Sequence, residues 1–479
     1  MDNNDKDSEK SQLDSDNTNK NHFENNNEKT EGVSTILGDP KKAIVKLSTP
    51  IMVSVVLASL NSLIDAIWIA GIGPEALAAM GFVTPLSMLL IGVSGGLSNG
   101  ALSIISRFIG ARDKKEADNA ALHILLIMVI FTVAMMISVG LFFKEILLTL
   151  GAGSTVELAL QYGYVIIGGS IFMMFSSVSY GIMRAEGNVK KTMYAMSLAA
   201  IMNMILDPIF IYNFNMGISG ASLATMLSLA AASFLMFYWF KKDTYLSLNL
   251  KNFKYSSNLT KKILSISIPS STEYLIMSLL VGSMNLILVT VSGSEAVAIF
   301  SAGWNIALVS VILLAPIAIS VVIVVGASIG AKKYENLDIV QNYSIKLGTL
   351  IAIITAIITF IFAPYIAGLF TYSSGTANLS GLLTEFLRVM TLYYIFVPIG
   401  SVASSIFLGV GKGLNYFIAN VIRQLLLAVL FAYVLAITLG WGQEGVWWGI
   451  VIGNIAGSLI SILWSKFYIK KLNTDKSIV

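Results

Sequence analysis

From Lys41 onward the chain breaks into twelve apolar runs, near residues 44–69, 79–108, 121–143, 156–182, 191–213, 218–240, 263–290, 299–328, 340–366, 383–407, 414–439 and 446–468. Each is long enough to cross the hydrocarbon of a bilayer, which takes about 20 residues of helix. Lipid offers no hydrogen-bond partner to a bare backbone, so each run must be a helix, and the alternation of barrel strands is absent. A chain that is 56% hydrophobic and only 12% charged has no soluble way to hide that much apolar surface. The expected class is therefore all-α integral membrane, with twelve transmembrane helices.

The loops orient them. Those after spans 2, 4, 6, 8 and 10 hold Arg112, Lys114, Lys115, Arg184, Lys190, Lys241, Lys242, Lys251, Lys254, Lys261, Lys262, Lys332, Lys333 and Lys412. The opposite loops hold only Lys144. Basic loops stay in the cytoplasm, so both termini are expected there, in a multi-pass protein of the cytoplasmic membrane. The net charge of +4 conceals a polar, acidic N-terminal tract, residues 1–39. It lacks the apolar residues that offset ordering entropy and is expected to be a disordered cytoplasmic tail. It has neither the basic start and apolar run nor the cleavage site of a signal peptide.

The chain also repeats itself. Gly73-Pro-Glu-Ala-Leu-Ala78 follows span 1, and Gly293-Ser-Glu-Ala-Val-Ala298 follows span 7, an offset of 220 residues. At the same offset Ile109-Gly-Ala-Arg112 matches Ile329-Gly-Ala-Lys332, while Pro50 and Pro269 match at 219. Two homologous six-helix bundles of like orientation imply a pseudo-twofold axis along the membrane normal, an arrangement of secondary transporters that hold substrate between the halves. The expected organisation is an N-terminal lobe at 40–240, a cytoplasmic linker at 241–262, a C-terminal lobe at 263–470 and a tail at 471–479.

The residues most expensive to place in lipid lie in the first half. Asp207 sits inside the apolar run Ile201–Phe210, and an ionisable group at mid-membrane costs roughly 2.5–3.5 kcal/mol on insertion scales. Asn203 precedes it by one helical turn, and Pro208 removes the N–H that the Met204 carbonyl would otherwise receive. Span 1 repeats the spacing in Asn61-Ser-Leu-Ile-Asp65. Asp65, Asp207, Thr225 on span 6 and Tyr162 on span 4 fall at similar depths in the outer half, so one pocket lined by these residues with Asn61 and Met204 is expected. Two neighbouring carboxylates resist being ionised together, which makes such a pocket responsive to protons or cations. The neutral oxygens beside the acids suit Na⁺ as well as H⁺. A plainer reading has Asp207 merely ending a helix near the headgroups. In the second half Asp65 becomes Asn285, Asp207 becomes Phe431 or Ala432, and Thr225 becomes Ile450.

Elsewhere, Glu273 and Arg423 are expected to form a buried structural ion pair rather than a substrate contact. Glu75 and Glu295 complement helix N-termini. Gly92, Gly95, Gly96 and Gly100 are packing devices. The absence of cysteine, with only His22 and His123, excludes disulfides and thiolate chemistry and argues against zinc or a histidine-based triad.

These features together resemble the multidrug and toxic compound extrusion (MATE) family, over about residues 40–470. The resemblance rests on twelve helices in two halves, Pro50 fifteen residues before Asp65, Asn203-x-x-x-Asp207-Pro208, and Gly217-Ile-Ser-Gly-Ala-Ser-Leu-Ala-Thr225. Gly409-Val-Gly-Lys-Gly413 and Ile422-Arg-Gln424 add to it. It implies an antiporter, not an enzyme, that expels amphipathic, often cationic compounds against inward H⁺ or Na⁺ by alternating access. In the archaeal and bacterial branch it resembles, the positions of Asp65, Asn203, Asp207 and Thr225 are implicated in cation binding. Tyr162 matches a lining tyrosine, and Pro50 a proline where span 1 has been proposed to bend. No cofactor beyond the coupling ion and no nucleic-acid partner is expected, and the protein is expected to be a monomer. A lipid-linked precursor flippase of the same superfamily is the alternative, and it would need a cationic cavity. A membrane enzyme or scaffold fits neither the repeat nor the absence of a catalytic constellation.

Overall fold

The computed structural model describes residues 30–371 and 379–474. They form helices throughout: α1 (Glu31–Leu37), α2 (Pro40–Ala70), α3 (Pro74–Gly110), α4 (Lys114–Thr149), α5 (Val156–Ala185), α6 (Val189–Pro208), α7 (Gly217–Lys242), α8 (Ser257–Ser271), α9 (Glu273–Ile312), α10 (Ala315–Gly330), α11 (Glu335–Phe370), α12 (Ser380–Val410), α13 (Gly413–Asn420), α14 (Leu427–Tyr433) and α15 (Gly442–Thr474). Among the described residues eleven stretches are long and apolar enough to cross a membrane. The difference from twelve arises at spans 7 and 8, where Ser257–Ile312 counts as one stretch. Gly73 and Gly293 turn the chain at equivalent places, with φ of 137° and 77°. Pro74 then starts a new helix in the first half, and in the second Gly293 kinks α9, with helix on either side of it. A further break falls before α10, where Pro316 cannot donate.

Most of the stretch expected to form a tail, residues 1–29, lies outside the described residues, as does 475–479. The remainder departs from expectation. Thr30 caps α1 by accepting the Val33 N–H, and Val33 and Ile36 are buried. Glu31 pairs with Lys46 at 2.9 Å and with Lys190 at 3.6 Å. Two apolar side chains at helical spacing suffice to dock this turn; the polar composition around them masked it.

Helices α2–α7 and α8–α15 form the two lobes. One buried cluster runs through the first lobe and across the seam to residues 317–340 and 402–416. A second, centred on Phe300, Phe386, Tyr394 and Trp447, belongs to the second lobe alone. The seam is built from small residues. A Cβ on Gly96 would lie 1.9 Å from Ser271 Oγ, one on Gly100 2.3 Å from Ser267 Oγ, and one on Gly110 2.0 Å from the Ala327 carbonyl oxygen. Ser103 Oγ donates to Leu408 O across the same seam at 2.6 Å. These contacts follow α3 down to the basic turns that end α3 and α10, so the lobes are closed together at their basic end.

Candidate functional site

The pocket expected from sequence assembles in the first lobe. Asn203 on α6 is its hub. Its Oδ1 accepts from Asn61 Nδ2 on α2 at 2.8 Å, while its Nδ2 donates to Asp207 Oδ1 at 3.0 Å and to Thr225 Oγ1 on α7 at 3.4 Å. Thr225 Oγ1 in turn donates to Ala221 O at 3.0 Å. Every polar atom of the Asn203 amide is therefore engaged. Asp207 is fully buried and Asn203 is 3% exposed, whereas Asp65 is half-buried. Asp207 stands in the last turn of α6, with its side chain sealed inside the lobe.

The two carboxyl groups, Asp65 on α2 and Asp207 on α6, lie within direct interaction distance, and Tyr162 on α5 is within electrostatic reach of both. Three oxygens here are buried with no hydrogen-bond partner: Asn61 Oδ1, Asp65 Oδ1 and Asp207 Oδ2. Buried acceptors without donors are costly, and three from neighbouring residues make a set to which a cation or proton adds the missing partner.

Local backbone explains how the set is held. Pro208 withholds an N–H from the Met204 carbonyl, and the Ile209 N–H bonds Leu206 O instead. A π turn follows at Ile209–Asn213, a feature that tends to mark functional sites. It swings Tyr212 so that its hydroxyl donates to Trp68 O at 2.7 Å, fastening the end of α6 to the end of α2. Pro50, by contrast, lies inside helix α2, which runs unbroken to Ala70. Its counterpart Pro269 sits just before the α8–α9 break.

The second lobe repeats the backbone without the chemistry. A π turn recurs at Val434–Thr438, 225 residues after the first, with no proline before it. An additional one, Val421–Leu426, carries Arg423. The direct Glu273–Arg423 ion pair expected from sequence is not formed: among the described residues the ion pairs within 4 Å are Lys46–Glu31, Lys190–Glu31, Lys114–Asp118 and Lys191–Asp243. Glu273 instead accepts from Tyr416 Oη at 2.9 Å. Arg423, 4% exposed, donates to Asn454 Oδ1 at 3.2 Å and Asn420 Oδ1 at 3.0 Å. Neutral amides take both terminal nitrogens of the guanidinium, while its Nε is buried without a partner. Tyr416, Asn420 and Asn454 were not singled out in the sequence, and nothing short-range announces them; Tyr416 is 143 residues from the acid it binds.

The MatE family model matches residues 50–209 and 269–434, one match per lobe, each beginning at the repeated proline. The chain belongs to the MatE family. Its members are transporters rather than enzymes. The Staphylococcus aureus (strain bovine RF122 / ET3-1) multidrug export protein MepA is 24% identical over 447 residues, covering 91% of this chain and 96% of MepA. A crystal structure of MATE in complex with MaL6 superposes with a TM-score of 0.91 at 37% identity, covering 93% of this chain and all of the other. A Pyrococcus furiosus Vc1 (DSM3638) transporter of the MOP superfamily gives 0.90 at 37% identity, covering 93% and 99%; its structure was described as having a binding pocket of reversed polarity that suggests a different function. The two-lobe, twelve-helix MATE fold read from the sequence is thereby established for this chain.

Proposed function

We propose that this MATE transporter is a multidrug efflux antiporter that expels amphipathic, often cationic compounds in exchange for inward H⁺ or Na⁺. The basic end and both termini face the cytoplasm, the coupling ion binds among Asp65, Asn203, Asp207 and Thr225, and the two lobes alternate access. The single observation that carries this is the unpartnered oxygen set on Asn61, Asp65 and Asp207; at the matching positions the second lobe has no carboxylate and keeps one such oxygen, the neutral Asn285 Oδ1. MepA's export role supports the substrate class. The carboxylates also weigh against an anionic lipid-linked precursor as cargo, since like charge in the pocket would repel it. Among the described residues no group of three or more His, Cys, Asp or Glu side chains is placed to hold a metal. Any Na⁺ would therefore rely on the neutral oxygens of Asn61 and Thr225 beside the two acids.

The test is purified protein in liposomes with imposed Na⁺ or H⁺ gradients and a panel of fluorescent cations. Uphill substrate movement driven by at least one gradient is expected. Movement indifferent to both gradients at clamped membrane potential would overturn the antiport reading.

A further inference from the structure

A cavity of about 410 Å³ lies where the lobes meet at the basic end, and the reading above makes no use of it. Both lobes line it, through the turn after α3 with Arg112, the turn after α10 with Lys332 and Lys333, and Asn336 at the start of α11; Ile36 and Leu37 of α1 form an apolar rim. We propose that this cavity is an anion site that takes a phosphate group, from a phospholipid headgroup or a soluble phosphate, and that its occupancy holds the basic end closed.

The argument starts from four equivalent helix ends. Helices α3, α5, α10 and α12 all close with the same pair of backbone bonds. In α3 these are Arg112 N to Ile109 O at 3.0 Å and Asp113 N to Phe108 O at 2.9 Å; in α10, Lys332 N to Ile329 O at 3.1 Å and Lys333 N to Ser328 O at 2.9 Å. Gly187 and Gly411 repeat the pattern after α5 and α12. The first residue of each turn must enter the left-handed region, and glycine does so at no steric cost. Gly187 and Gly411 obey this rule, with φ of 81° and 86°. The two ends at the cavity break it, with Arg112 at 59° and Lys332 at 58°. A non-glycine residue there is strained by roughly 1–2 kcal/mol, and retained strain points to a role for the side chain. A cation that only complements the helix dipole has the whole last turn available to it. Both repeats nevertheless place the charge where it faces the seam.

The charges are also uncommitted. The lining contains no acid, and among the described residues none of Arg112, Lys332 or Lys333 joins an ion pair within 4 Å. The nearest acid in sequence, Asp113, caps α4 by accepting the Glu116 N–H. A guanidinium and two ammonium groups around one cavity match phosphate chemistry. Because the lining comes from both lobes, with Gly110 against the Ala327 backbone and Gly330 against the Arg107 and Ala111 backbone across the seam, the site exists only while the basic end is closed. A ligand that binds one state alone stabilises that state.

The test uses the full chain in nanodiscs, where both faces are reachable, so it stands even if the orientation or the antiport reading fails. The protein has no cysteine, and Ser106, fully buried against Gly326 on the seam, becomes a reporter of opening as Ser106→Cys. Inorganic phosphate is titrated in phosphatidylcholine discs against chloride of equal ionic strength, and a second arm adds phosphatidylglycerol without phosphate. At tenfold its dissociation constant the ligand should slow maleimide labelling about tenfold. The unfolding midpoint in detergent, measured without the reporter, should rise with phosphate. Arg112→Gly/Lys332→Gly should abolish both effects while relieving strain, so it is expected to fold, and Arg112→Lys should keep them. An effect of phosphate identifies a soluble ligand, and one of phosphatidylglycerol alone identifies a headgroup. No effect of either, or equal effects in the double-glycine variant, overturns the proposal.

Discussion

At the scale of single residues the two aspartates differ in setting, and this decides what their removal should do. Asp207 is sealed, with Asn203 donating to one of its oxygens; Asp65 reaches the pocket from α2 and is partly open. Asp207→Asn and Asp65→Asn should each lower gradient-driven efflux by at least tenfold, about 1.4 kcal/mol of lost coupling. Expression should hold, because neutralising an intramembrane acid eases insertion. Wild-type rates in both variants would refute the site. Thr225→Val deletes a neutral oxygen and keeps both acids, so Na⁺-driven efflux should weaken before proton-driven efflux if Na⁺ is coupled; equal losses would identify a proton site. Glu186, outside the spans, carries a separate pH dependence. It is fully buried, accepts from Asn188 Nδ2 at 3.0 Å and Leu246 N at 3.2 Å, and burial holds its carboxyl up at about 7 from an ordinary 4.5. A raised value means that the folded protein takes up the proton, so this contribution is complete below about 4.5 and fades as pH rises through about 7. The unfolding free energy should fall between pH 5.5 and 8 with a slope of at most about 1.4 kcal/mol per pH unit, lowering the unfolding temperature, and Glu186→Gln should flatten it. Parallel curves would exclude Glu186 as the origin. The acids were legible from sequence because charge inside an apolar run needs no partner to be noticed. Glu186 was not, since it follows Arg184 in an ordinary polar turn and its burial depends on the distant linker at Leu246.

At the scale of elements, the repeat determines which helices pack closely. Along α15, Gly445, Gly449, Gly453 and Gly457 recur every four residues and face the backbone of Leu435–Ala436, Phe431–Ala432, Leu427–Ala428 and Arg423. In the first lobe Gly220, 225 residues before Gly445, faces Phe210 and Ile211 of the π turn in the same way. A Cβ on Gly449 would lie 2.3 Å from the Ala432 Cα, so Gly449→Val must push α14 away. The expected cost is about 1–3 kcal/mol, seen as a lower unfolding temperature in detergent. Gly168→Ala, with nothing within 4 Å of the added carbon, should change it little. Equal effects of the two would contradict the close approach. Helix existence and lobe symmetry were readable because lipid leaves the backbone one solution and duplication preserves motif spacing. The π turns were not, nor was the further break between α9 and α10. The π turn at Val434–Thr438 forms with no proline before it, so no single residue type announces one.

For the whole molecule, the open question is what holds the lobes shut at the basic end, and α1 is part of the answer. Gly32 lies so close to the Glu186 and Gly187 backbone that an added Cβ would be 2.5 Å from Glu186 O. Ile36 and Leu37 reach the cavity shared with the second lobe. The exposed ion pairs of Glu31 with Lys46 and Lys190 add little by themselves. Burying Val33 and Ile36 contributes roughly 1.5–3 kcal/mol each as an upper estimate. From composition alone, deleting residues 2–38 should leave transport unchanged, because a polar tract contacts nothing the mechanism requires. The structure divides that stretch in two. Deleting 2–29 should leave efflux and thermal stability as they are, whereas extending the deletion to 38 removes a contact made across the seam. Ser106→Cys should then be labelled faster by about tenfold or more, since losing even 1.4 kcal/mol from the closed state multiplies the open population by ten. Efflux should fall at equal expression if closing the basic end belongs to the transport cycle. Identical labelling rates in the two truncations would show that α1 rests on the closed lobes without helping to hold them.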